Sequence, residues 1–149
     1  MRYRDAGNVH MDFHGATNTT IRYIANKFGV DAMKMIFFKT GRDVYRSIRE
    51  GLQKGDTSEL LEHWNYYLGR EKAKFRIVSK DDEIVLRIDE CPAVRHVRKL
   101  GLELSPHFCE QTDSLNKGIC SGTGFEIITV KTGEASCIQT LRRIKNDTK

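Results

Sequence analysis

The chain lacks any apolar run long enough to cross a membrane, and the stretch after Met1 has none of signal-peptide length. A cytoplasmic location is therefore expected, with no membrane partner. Prolines are scarce: Pro92 and Pro106 are the only two, and no Pro- or Ser-rich linker, internal repeat or low-complexity segment divides the 149 residues. One domain spanning residues 1–149 is expected, large enough to bury well over half of its unfolded surface without staples. Also absent is any Cys-x-x-Cys pair, the spacing that usually marks structural zinc. The four cysteines, Cys91, Cys109, Cys120 and Cys137, would stay reduced in the cytoplasm, so chemistry or metal binding suits them better than a disulfide framework. Basic residues exceed acidic ones by 25 to 20, a net charge of +5, but they are spread among the acids, and the one local cluster is Arg142-Arg143-Ile144-Lys145. Without a concentrated basic face, nucleic acid is not an expected partner, whereas a small anionic substrate would suit the same excess.

What is present concentrates between Asp89 and Cys120. In Asp89-Glu90-Cys91-Pro92 the proline suits a first helical position, where its missing N–H costs nothing, and this leaves Cys91 at or beside the N-cap. In Ser105-Pro106-His107-Phe108-Cys109 the serine is a natural N-cap and the proline opens the helix, so Cys109 falls in its first turn. Exposed N–H groups and the positive end of a helix dipole stabilise a thiolate there. Carried to about Ser121, this helix puts Cys109, Asp113, Asn116 and Cys120 on one stripe, beside an apolar stripe of Phe108, Thr112, Leu115 and Ile119. The bland alternative is that the cysteines are small core hydrophobes.

The first half reads as amphipathic helices. A stripe of His10, His14, Thr17, Ile21, Ile24 and Phe28 ends at Gly29; Asp31 caps a second helix to a break at Gly41; Val44, Tyr45, Ile48 and Leu52 mark a third. Asp56 and Glu59 resemble a capping box for a fourth, with Leu60, Leu61, Trp64 and Leu68 on its buried face and His63 at its surface or boundary. The period then changes to two. Phe75 to Ile88, with a polar turn from Lys80 to Glu83, and Phe125 to Ile144 around Thr132-Gly133 read as hairpins. The expected fold is α+β, with N-terminal helices packed on a mainly antiparallel sheet built from two hairpins separated by two short helices.

A second chemical cluster is His10-Met11-Asp12-Phe13-His14. If the first helix extends back to a cap near Asn8, His10 and His14 lie one turn apart; if the segment is extended, His10, Asp12 and His14 share a face. Either spacing could hold a divalent metal such as zinc, with a carboxylate or thiolate from elsewhere. The alternative is a frayed terminus or a polar pocket. His107 stands two residues before Cys109, which on a helix turns it away from the thiol, so His10 or His14, reaching across the fold, suit the role of base for either cysteine better.

In order, His10-Met11-Asp12-Phe13-His14-Gly15, Asp89-Glu90-Cys91-Pro92-Ala93, His107-Phe108-Cys109-Glu110-Gln111-Thr112, Gly122-Thr123-Gly124-Phe125 and a late Cys137 resemble the L-2-amino-thiazoline-4-carboxylic acid hydrolase family, over most of the chain from His10 to Ile144. The resemblance implies hydrolytic opening of a cyclic amidine, the thiazoline ring, to a carbamoyl-cysteine. Two mechanisms are compatible with the residues. In one, Cys109 or Cys91 attacks the amidine carbon while a histidine such as His107 transfers protons. In the other, His10, Asp12 and His14 hold a metal that activates water. Asp113, Asn116 and Arg95 are the expected substrate contacts, with Arg22 a further cation for a carboxylate. More loosely, helices followed by a sheet with a cysteine in the last hairpin are similar to the vinyl-4-reductase and haem-NO-binding group of ligand-binding domains, which implies a non-catalytic sensor instead. A homodimer formed through a helical face is a third expectation.

Overall fold

The structure, a computed structural model, describes residues 7, 9–80 and 82–144. Asn8, Asp81 and Lys145, placed above in a helix cap, a turn and a basic tail, lie outside them. Helix α1 (Phe13–Phe28) stops at Gly29, whose φ of 90° suits a residue without a Cβ, and the Gly29 N–H closes on the Ala25 carbonyl at 3.1 Å. Helix α2 (Val30–Val44) starts at once from Gly29 rather than from a cap at Asp31, and it runs straight through Gly41, where a break was expected. Gly41 is buried, because the backbone at Leu115 and Ile119 packs directly on it. Helices α3 (Arg46–Gln53) and α4 (Ser58–Arg70) follow. The capping box expected from Asp56 and Glu59 does not form: Thr57 stands at the N-cap, Asp56 accepts the Ser58 N–H at 2.9 Å, and Glu59 accepts the Ser47 hydroxyl from α3.

Strands β1 (Lys74–Lys80) and β2 (Glu83–Glu90) form the first hairpin. After α5 (Pro92–Lys99) and α6 (Phe108–Cys120), β3 (Phe125–Lys131) and β4 (Cys137–Arg143) form the second. The hairpins join through β2 and β4 into one antiparallel sheet of order β1-β2-β4-β3, an α+β fold. Ile84, Leu86 and Ile88 stand opposite Leu141, Gln139 and Cys137. Because side chains alternate along a strand, this register puts Cys137 and Gln139 on the same face as buried Leu86 and Leu141.

Two apolar clusters hold the helices in place. Ile48, Leu52, Leu60 and Trp64 from α3 and α4 pack with Leu86, Ile88, Ile119, Ile127 and Leu141 over the sheet. Ile21 and Met33 from α1 and α2 pack instead with Val94, Val97 and Phe108 from α5 and α6. The N-terminal helices thus reach the sheet in two ways, α3 and α4 directly and α1 and α2 through α5 and α6. Cys91 packs against both clusters and marks their junction.

One packed histidine sets an acid limit on this fold. His63 on α4 sits between Tyr45 and Tyr67, with ring centroids 5.2 and 4.7 Å away, and burial pushes its imidazole down to about 4. The folded value lies below the unfolded one of about 6.5, so the unfolded chain takes up a proton first, and stability present above pH 6.5 is lost as pH falls toward 4. At about 1.4 kcal/mol per unit the loss is roughly 3 kcal/mol. Urea unfolding at pH 7, 5.5 and 4.5 should show it, and His63→Gln should flatten that part of the pH dependence. An equal slope in parent and variant would assign the acid sensitivity elsewhere.

Candidate functional site

Three of the four cysteines converge where the two apolar clusters meet. Cys91 is the N-cap of α5, extended at φ −70° and ψ 119°, with Pro92 opening the helix as its chemistry dictates. Its N–H donates to the Ala135 carbonyl at 2.7 Å, which carries the β2–β4 contact beyond the Ile88–Cys137 pair. Its sulfur faces the N–H groups of Ala93 and Val94 at the helix start. Cys137, first residue of β4, stands on the inner face of the sheet. Cys109 is the second residue of α6, beside buried Phe108, which shares its cluster with Cys91 and Ala135. The helix begins later than expected: Ser105 is not its N-cap but closes a preceding turn, in which the Phe108 N–H reaches the Ser105 carbonyl at 3.0 Å and His107 becomes the cap residue. Cys109 stays in the first turn nonetheless.

Charge coupling ties the three sulfurs together. Burial raises the Cys91 thiol above its ordinary value; the Val94 and Ala93 N–H groups oppose that, and the charges of Cys109 and Glu71 add to it. Cys137 is pushed up to about 11, first by burial, then by Cys91 and Cys109, against a hydrogen bond from the Gln139 amide. Both are thiols rather than thiolates at neutral pH. Cys120 is pushed up to about 12 by burial and sits at the far end of α6, about 16 Å from Cys109 at 1.5 Å per residue, so the stripe seen in the sequence does not bring it to the site.

Beside the thiols lies a buried carboxylate and imidazole pair. His14 in the first turn of α1 donates Nε2–H to Glu71 Oε2 at 2.9 Å, with side-chain exposures of 12% and 8%. Glu71 is the C-cap residue of α4, and its carbonyl accepts Arg95 Nη2 at 3.0 Å. Glu71 is the link to the thiols, since its charge acts on Cys91, and a carboxylate that orients an imidazole is a common device for moving protons.

The other residues singled out in the sequence are placed elsewhere. His10 is exposed, Asp12 bonds to His96 at 2.9 Å and His14 to Glu71, so the three do not converge; among the described residues no group of three or more His, Cys, Asp or Glu is arranged to hold a metal ion. His107 turns to Glu110 at 2.8 Å, and Glu110 also pairs with Lys34 at 2.9 Å, so this imidazole is committed to the helix surface rather than to Cys109. Asp113 pairs with Lys117 at 2.7 Å. Asn116 is buried and donates to Gln139 at 2.8 Å and Thr129 at 3.2 Å, which links it to the Cys137 thiol through the Gln139 amide. Arg22 bonds to the Glu103 carboxylate at 3.1 Å and carbonyl at 2.8 Å, leaving it the task of holding the loop between α5 and α6.

Sequence reading missed Glu71, Gln139 and Asn18 as parts of this region. Gln139 had a signal, since it is the polar member of the inward alternation Cys137, Gln139, Leu141. Glu71 had none, because its partner His14 lies 57 residues away at the start of α1. Asn18 is 3% exposed and clamps the loop that leads into α6, donating to the Glu103 carbonyl at 3.0 Å and accepting the Ser105 N–H at 2.8 Å. Asn18→Ala leaves a buried N–H without its acceptor and should cost about 1–3 kcal/mol. Denaturant unfolding gives the loss, and faster amide exchange at Ser105 should locate it.

No protein-family model matches this chain, and no curated protein is significantly similar to it.

Proposed function

We propose that this chain is a small-molecule hydrolase that opens a cyclic amidine, with a 2-amino-thiazoline carboxylate as the substrate class and Cys109 as nucleophile. The observation that supports this best is the meeting of Cys109, Cys91 and Cys137 beside the Glu71–His14 pair. Burial holds Cys91 and Cys137 as thiols, and Cys109 lies in the first turn of α6, at the positive end of the helix dipole. Cys109 gives its proton to His14 as its sulfur adds to the amidine carbon; the ring C–S bond then breaks and the departing sulfur takes that proton from His14, giving an isothiourea on Cys109. Water, giving its proton to His14, then attacks the same carbon and expels the Cys109 sulfur, which takes the proton back from His14, so the net change is addition of one water to yield the carbamoyl-cysteine.

Incubation with 2-amino-thiazoline-4-carboxylate should produce one new free thiol per turnover and a product heavier by one water. Rapid acid quenching should trap the isothiourea on the peptide that contains Cys109. A ligand that binds at the thiols without ever being turned over would move the chain to the non-catalytic sensor class.

A further inference from the structure

Above Glu71 the surface opens into a groove of about 790 Å³ between the end of α4 and α5, lined among others by Arg70, Glu71, Lys72, Arg95, His96 and Lys99. Four of these side chains are permanently cationic, and the single carboxylate is already paired with His14. Arg70 is fastened to the Tyr66 hydroxyl at 2.6 Å and the Gly7 carbonyl, and Arg95 to the carbonyls of Glu71 and Lys72 at 3.0 and 3.4 Å and to the Glu90 carboxylate at 3.6 Å. Among the described residues Lys72 and Lys99 make no ion pair, so their ammonium groups remain to meet a ligand.

The backbone at Lys72 is the second observation. With φ of 54° it is the one non-glycine residue among those described in the left-handed region. It ends α4: its N–H returns to the Gly69 carbonyl at 3.1 Å and the Ala73 N–H to Leu68 at 2.9 Å, a helix end at which glycine is the least strained residue. A lysine there spends conformational energy to put an ammonium at the groove, and Arg95 braces the turn through its carbonyl.

We propose that this groove is an anion subsite that takes the carboxylate of the small molecule handled at the thiols, with Lys72 as the residue that selects for it. The identity of the molecule rests on the hydrolase reading; the subsite does not. Glu71 lines the groove and its charge acts on Cys91, so the groove adjoins the thiol cluster and would take the carboxylate of a ring held there between Lys72 and Lys99.

Titration of the full chain by amide NMR with 2-amino-thiazoline-4-carboxylate and with its carboxamide tests this. The carboxylate should shift the Lys72, Arg95 and Lys99 amides and bind at least about tenfold more tightly than the carboxamide, with an affinity that falls as salt rises. Lys72→Gly and Lys72→Asn should each weaken carboxylate binding about five- to tenfold while raising the unfolding temperature, because both residues accept the left-handed conformation. Equal binding of the two probes, no shift in the groove, or unchanged affinity in both Lys72 variants overturns the subsite. Carboxylate binding in the groove without hydrolysis keeps the subsite and removes the enzyme reading; hydrolysis with unchanged affinity in the variants does the reverse.

Discussion

Gly118→Ala should destabilise the fold by about 3 kcal/mol or more, a large part of the 5–15 kcal/mol that a domain of this size usually has. In isolation the change favours a helix by about 1 kcal/mol. Here a Cβ on Gly118 would lie 2.0 Å from the Phe38 carbonyl oxygen, and one on Gly41 would lie 2.0 Å from the Leu115 carbonyl oxygen. Helices α2 and α6 cross backbone to backbone at these two glycines, and main-chain atoms cannot rotate aside as a side chain would. The helices must separate, opening the contact that ties α2 to the helix carrying Cys109. Gly41→Ala should behave likewise. Gly69→Ala on α4 is the control, since nothing lies within 4 Å of its added methyl, and it should be neutral or mildly stabilising. Equal stability of the three variants by urea denaturation would show that the crossing adapts and that the close approach is not a constraint.

On the proposed mechanism Cys109→Ser should reduce turnover of the thiazoline by about a thousandfold or more while leaving the unfolding transition close to the parent's, since removing a covalent nucleophile commonly costs that much and the volume change is small. Alkylation of the folded parent with a small reagent, read by mass spectrometry at each cysteine, supplies the companion measurement. Cys137 at about 11 and Cys120 at about 12 have roughly one thiolate in a thousand and one in ten thousand at pH 8, so both should react slowly and keep accelerating up to pH 10. Cys109 should react first. If it is modified only after unfolding, and the serine variant turns over as the parent does, then Cys109 is a packing residue and the nucleophile lies elsewhere.

Local rules determined much of this protein before any tertiary contact is considered. Pro92 can only open a helix at its first position, so Cys91 is its cap in the sequence and in the structure alike. Gly29 ends α1 because the turn needs a positive φ, and the two hairpins follow from the alternation of Phe75 to Ile88 and Phe125 to Leu141. These depend on neighbours a few residues away, which a sequence displays directly. What the tertiary structure alone decided involves residues far apart. Gly41 looks like Gly29 in the sequence, yet it is helical and serves to admit a carbonyl from α6, 74 residues on at Leu115. His14 meets Glu71 across 57 residues, and Cys91, Cys109 and Cys137 come from three elements whose spacing carries no periodic signal. Periodicity reports which face of an element is buried; only the meeting of the start of α1 with the end of α4, and the crossing of α2 over α6, decide which buried groups face one another.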